Sequence, residues 1–323
     1  MTPITETRST PRPDLDRLRL GLCRAEYILI GLTLAIVSAS LVLSRITGQR
    51  IDWLTFNISF LPALGLVLAG LYIRLVKDTP RLAHLAMANG IYVGFAGVIS
   101  IFLYLRFPIA TPLIDPALMR LDAALGFSWV GFTTALADYP LLGRALGWVY
   151  LSSLPQLFAV IAILALSGRV ATLHKTLLTG TISLVFTIAV WWVFPSVGPT
   201  VHGMVDPAVA AAIGLVVDTA YAASLETLVR DGVAVITPDA IIGTIAFPSY
   251  HTVMALIAVW YLRGTWAFWP SLALNTAMIP AILSHGGHHM VDVLAGLVCF
   301  AATAALSHRI MGSQHGAEGR GRG

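Results

Sequence analysis

Apolar residues in this chain come in long runs, and the runs reach the length that crosses a bilayer as a helix, about 17–25 residues. Eight spans are predicted, at residues 25–43, 53–73, 82–105, 146–166, 177–194, 250–262, 266–283 and 289–306. Polar stretches with Pro and Gly separate them, and two are long, 106–143 and 195–247. Within the first, residues 115–127 are too polar to span. Their Leu/Ala spacing predicts an amphipathic helix lying at the membrane interface. The pattern defines an all-α integral membrane protein with about eight transmembrane helices. It divides into a polar arm (1–24), two accessory spans (25–81), a six-helix core (82–306) and a tail (307–323).

Composition narrows the class. Of 323 residues 57% are hydrophobic and 11% charged, against roughly one-quarter charged in a soluble domain. The net charge of +4 does not point to nucleic acid, because the basic residues sort by loop and form no single patch. That sorting gives an orientation. Arg74, Lys77 and Arg81, then Arg169 and Lys175, then Arg263, fall on the side of the Arg-rich amino-terminal arm. Arg45, Arg50, Arg106, Arg120, Arg144 and Arg230 are spread thinly over the other side. The positive-inside rule then places both termini in the cytoplasm. The arm reads as disordered, with residues 15–22 lying on the membrane surface, and no cleavable signal pattern precedes the first span. Cys23 and Cys299, the only cysteines, are not expected to pair.

Candidate chemistry gathers at the ends of the last three spans. The phrase Phe247-Pro248-Ser249-Tyr250-His251 opens one span, and Ser284-His285-Gly286-Gly287-His288-His289 leads into the last. Two crossings lie between them, so both phrases return to one membrane face. His288 and Asp292 are four apart, on one face of a helix and in hydrogen-bonding reach. A carboxylate behind a histidine fixes its tautomer and raises the basicity of the other nitrogen, as a nucleophile or base requires. Asp292, just inside a spanning helix, is a functional candidate because its desolvation is costly.

Pro248-Ser249-x-His251 followed by His288-x-x-x-Asp292 resembles the second and third motifs of the phosphatidic-acid phosphatase type 2 superfamily. The phrase from Gly287 to Gly296 is most similar to the branch containing inositol phosphorylceramide synthases and their bacterial relatives. The resemblance implies a six-helix phosphatase-type core, with His288 as the nucleophile that becomes phosphohistidine. Asp292 would orient it, and His251 would protonate the leaving oxygen. It further implies a lipid or isoprenoid phosphate as substrate, no metal or other cofactor, and, with this orientation, an active site on the outer side of the plasma membrane. The lysine and arginine that the family's first motif supplies to the phosphate are missing after Trp191-Trp192-Val193-Phe194-Pro195, and the arginine before the third motif is replaced by His285. Ser249, Arg230, His285 and His289 are the candidate substrate-binding residues in their place.

The reaction implied is phosphatase or phosphotransferase chemistry; an inositol phosphorylceramide synthase-like transfer of a phospho-head group to a lipid hydroxyl is the alternative. Two rivals stand beside it. His285, His288, His289 and Asp292 offer metal-ligand atoms within one turn and its approach, which leaves the Pro-Ser-x-His phrase unexplained. A non-enzymatic transporter predicts internal repeats with interrupted spans, and the sequence contains none.

Overall fold

Backbone N–H groups in hydrocarbon must find acceptors within the chain, so apolar runs close into helices. The computed structural model describes residues 21–319, and the described chain is all-helical apart from its loops and one two-residue strand pair. In order the helices are α1 (Arg24–Thr47), α2 (Trp53–Val76), α3 (Pro80–Tyr104), α4 (Asp115–Ala124), α5 (Trp129–Leu136), α6 (Pro140–Leu151) and α7 (Ser153–Leu166). There follow α8 (Val170–Val193), α9 (Pro207–Ile213), α10 (Thr219–Asp231), α11 (Tyr250–Tyr261), α12 (Phe268–His285) and α13 (Met290–Gly319). The predicted arm lies almost wholly outside the described residues.

Helices α1, α2, α3, α8 and α13 are each long and apolar enough to cross a membrane. The pair α6 and α7, bent by 50° at its break, makes a sixth crossing if it acts as one span. Against the expected count of eight there are five or six full-length apolar helices among the described residues. Helix α11 has only 12 residues, a rise of about 18 Å. Helix α12 is diluted by Ser271, Asn275, Thr276 and an internal Pro280.

Connections far apart in sequence bond to one another at each end of the helices. Arg74 donates to the Gly21 carbonyl and pairs with Glu26 at 2.7 Å, and Arg169 donates to the carbonyls of Arg263 and Gly264. At the other end, strands β1 (Arg50–Ile51) and β2 (Val235–Ile236) pair in parallel, and Gln49 Nε2 donates to the Val233 carbonyl at 2.8 Å.

Small residues set the helix contacts, as they do where lipid leaves no hydrophobic drive between helices. A Cβ on Gly90 would stand 2.7 Å from the Ala63 carbonyl oxygen, so α2 and α3 approach backbone to backbone. Helices α3, α7, α8, α11 and α13 enclose a core around Leu164, Leu173, Leu178, Val253 and Cys299. Hydroxyls inside it bond across helices: Ser183 to Thr303 and Thr179 to Tyr261 at 2.6 Å, Tyr92 to Tyr250 at 2.9 Å.

Candidate active site

Ser249 begins the site. Its hydroxyl caps α11 by accepting from the Thr252 N–H at 3.3 Å. Its own N–H donates to the Asp292 carbonyl, 3.0 Å away in the first turn of α13. One turn further, a Cβ on Gly296 would stand 2.5 Å from the Ser249 carbonyl oxygen and 2.8 Å from Thr252. Only glycine lets the two helix starts come this close.

That contact brings His251 and His288 together, their rings 5.8 Å apart and inclined at 67°. His288 Nδ1 lies 3.2 Å from Asp292 Oδ2, which also accepts from the His289 N–H at 2.8 Å. With the Nδ1 proton directed at the carboxylate, Nε2 carries the lone pair. Nε2 lies 3.5 Å from the Ser249 hydroxyl. His288 and Asp292 are buried and His251 half-buried. Asp292 Oδ1 is buried with no partner, a costly state for a carboxylate oxygen and one concentrated at functional sites. Tyr150, from the end of α6, stacks on His251 with ring centroids 4.5 Å apart.

His289 faces elsewhere. Its Nδ1 lies 2.7 Å from Asp122 Oδ2 and its Nε2 3.6 Å from Asp115 Oδ1, an ion-pair distance too long for a hydrogen bond. His289 Nε2 is buried without a hydrogen-bond partner. Asp122 also accepts from the Met290 N–H at 3.0 Å. Asp115 accepts from the Ser196 hydroxyl and from the N–H groups of Val197 and Gly198. The donors of the 196–198 loop thus point at Asp115. That loop needs Gly198, at φ 86°, because a Cβ there would collide with the Gly287 carbonyl.

The remaining predicted residues divide. His285 is buried, with Nε2 2.9 Å from the Gly143 carbonyl and Nδ1 accepting from the Val216 N–H at 3.3 Å. Both its nitrogens are occupied, so the four-ligand set 285–288–289–292 does not converge on one ion. Arg230 is not brought to the pair of histidines. Its guanidinium bonds the neighbouring Asp231 in an exposed position at the end of α10. Among the described residues, the one group with metal-ligand spacing is Cys23, Glu26 and His174 on the opposite face. There Arg74 already holds both oxygens of Glu26, at 2.8 and 2.7 Å.

Asp115, Asp122, Tyr150 and Thr200 escaped the sequence reading. Thr200 packs against Gly287, and its hydroxyl is buried without a partner. For the aspartates a signal existed: 115 and 122 are seven apart, two turns on one helical face, and with Leu118 they form the buried side of α4.

A helical membrane protein with two histidines and an aspartate converging from two helix starts is the class that fold and site define. Residues 116–306 match the sequence profile of the PAP2 superfamily, and the chain belongs to that superfamily. No curated protein and no solved structure matches it. The matched region begins inside α4 and leaves α1 to α3 outside.

Proposed function

We propose that this protein is a membrane-embedded phosphatase or phosphotransferase. It breaks a phosphoester or pyrophosphate bond of a lipid or isoprenoid phosphate through a phosphohistidine intermediate. One observation carries the reading: His288 has Nδ1 committed to Asp292 while Nε2 faces Ser249 and the His251 ring.

In the first step, His288 Nε2 bonds to phosphorus as the bond to the leaving oxygen breaks, and His251 gives that oxygen its proton. In the second, neutral His251 takes a proton from the attacking water or hydroxyl, and the P–N bond breaks back onto His288. Charge on the phosphoryl oxygens needs donors. With the family's lysine and arginine missing, they are the Ser249 hydroxyl, the N-terminus of α11 and the unpartnered Thr200 hydroxyl. His289 and His285 support the site without touching phosphate. Asp292 positions His288, and Tyr150 positions His251.

The eight helical segments 25–306 cross or enter the bilayer, with α3 to α13 forming a six-span core and α11–α12 a shortened hairpin. Lys/Arg sorting supports cytoplasmic termini and a site opening to the outer side of the plasma membrane. A cysteine at the exposed Met204 should react with an impermeant thiol reagent from outside, and one at the exposed Lys77 should not. The reverse pattern overturns the orientation. The Gly287–Gly296 phrase favours transfer to a lipid hydroxyl, as in the inositol phosphorylceramide synthase-like branch.

The test of the reaction is trapping. Protein turning over a labelled lipid phosphate and quenched in alkali should carry acid-labile phosphate on the peptide containing His288. Mass spectrometry of the products distinguishes water from a hydroxyl as acceptor. Absence of that phosphate, or its persistence in His288→Ala, overturns the reading.

A further inference from the structure

Helix α12 packs along α6 and α11 but barely against α13. A wedge between α11, α12 and α13 is therefore left open, a groove of about 480 Å³. Leu256, Leu272, Ile279 and Leu294 are among its apolar walls, and Ile279 and Leu294 are more than half exposed. On α11 the groove runs from Thr252 to Val259, about 10 Å of helix. Its upper end touches the site. Thr252 follows His251, Met290 follows His289, and both line it. Thr252 is nine-tenths buried and its hydroxyl has no partner, so the groove meets the site at an unused polar atom.

We infer that this groove holds one hydrocarbon chain of the substrate, which slides in sideways from the membrane with its phosphate at His288 and its polar linkage at Thr252. The inference rests on the proposed function and adds a route and a specificity determinant. Inside a bilayer such a groove gains little from the hydrophobic effect, because lipid tails are as apolar as its walls. Selection works by shape: a chain fits between three helices where a bulky side chain would not.

Val259→Trp and Leu297→Trp fill the deep end, away from the catalytic residues; Leu64→Trp, on α2, is the control. With a long-chain alkyl phosphate the first two should lower kcat/KM at least about tenfold, a change of about 1.4 kcal/mol. A short, water-soluble phosphate ester should stay within about twofold, and the control should change neither. Equal losses on both esters, or none, overturn the groove. A diazirine-bearing alkyl phosphate supplies a readout without turnover. It should label peptides carrying Leu256, Leu272 or Leu294, and excess unlabelled alkyl phosphate should displace it where phosphatidylcholine does not. Labelling displaced equally by phosphatidylcholine, or confined to α1 and α2, means an ordinary boundary lipid and overturns the proposal. If wild-type protein turns over neither ester, the proposed function fails, and the labelling still decides the groove.

Discussion

His288 and His289 are neighbours in sequence, equally buried and each within reach of carboxylate, yet their rings are held in opposite ways. His288 has one nitrogen against Asp292 and the other beside Ser249 and His251. His289 has Nδ1 against Asp122, while Nε2 lies 3.6 Å from Asp115 and has no hydrogen-bond partner. One carboxylate on one nitrogen leaves a basic lone pair. At His289 the second nitrogen faces another carboxylate, Asp115, so an anionic phosphate could not approach it without meeting like charge. In a buried site what the second nitrogen faces, more than the residue type, separates a reactive group from a brace.

The largest effect should come from exchanging the two roles. His288→Ala should lose ~10⁴-fold or more in turnover on every phosphate ester, while its melting midpoint in detergent stays close to wild type. His289→Ala should show the opposite emphasis, with poor folded yield. A folded, inactive His289→Ala alongside an active His288→Ala would reverse the comparison. Next in size is Asp122→Asn, which leaves part of a buried charge cluster uncompensated. Removing one partner of a buried pair costs about 3–5 kcal/mol, read as a lower unfolding midpoint. Asp292→Asn should instead leave that midpoint nearer wild type and slow phosphorylation for good and poor leaving groups alike.

His251→Ala sharpens the contrast by leaving group. Loss of a general acid costs typically 10²–10⁴-fold, expected for an alkyl ester, against only a few-fold for an activated aryl ester in the first step. Equal slowing of both would remove His251 from the acid role.

The spans were legible because one physical demand, burial of backbone polar groups in hydrocarbon, writes itself locally as an apolar run. The His251, His288 and Asp292 set was legible for a similar reason: short phrases at two helix starts, joined by a hairpin, must meet. The brace was not. Asp115 and Asp122 reach His289 across 174 and 167 positions, and no local pattern encodes such a pairing. Residues 115–127 read as an interfacial helix lying on its Leu/Ala face. In the structure Leu121 and Leu125 are exposed while the two aspartates turn inward. His285 misled for the opposite reason, since a histidine beside a catalytic phrase invites a substrate role. Its partners, Gly143 and Val216, are backbone groups that could not be foreseen from residue types. The break between α6 and α7 was likewise hidden inside one apolar run.

The shortness of α11 has an electrical consequence. Trp260, Trp266 and Trp269 are exposed around its far end, with Arg263 over the Trp260 ring, as at a membrane–water boundary. With α11 along the membrane normal, a rise of about 18 Å from there would leave His251 about 12 Å beneath the opposite boundary of a hydrocarbon layer about 30 Å thick. A phosphate dianion drawn to that depth crosses roughly two-fifths of the voltage drop. At about 2.3 kcal/mol per charge per 100 mV, this is about 2 kcal/mol per 100 mV if the site is insulated, and less as water follows it in. Were the site to open to the outside, as proposed, an inside-negative potential would oppose docking of an anionic substrate and help an anionic product leave. In the proposed orientation, helix length would tie the rate of the proposed reaction to the energisation of the membrane.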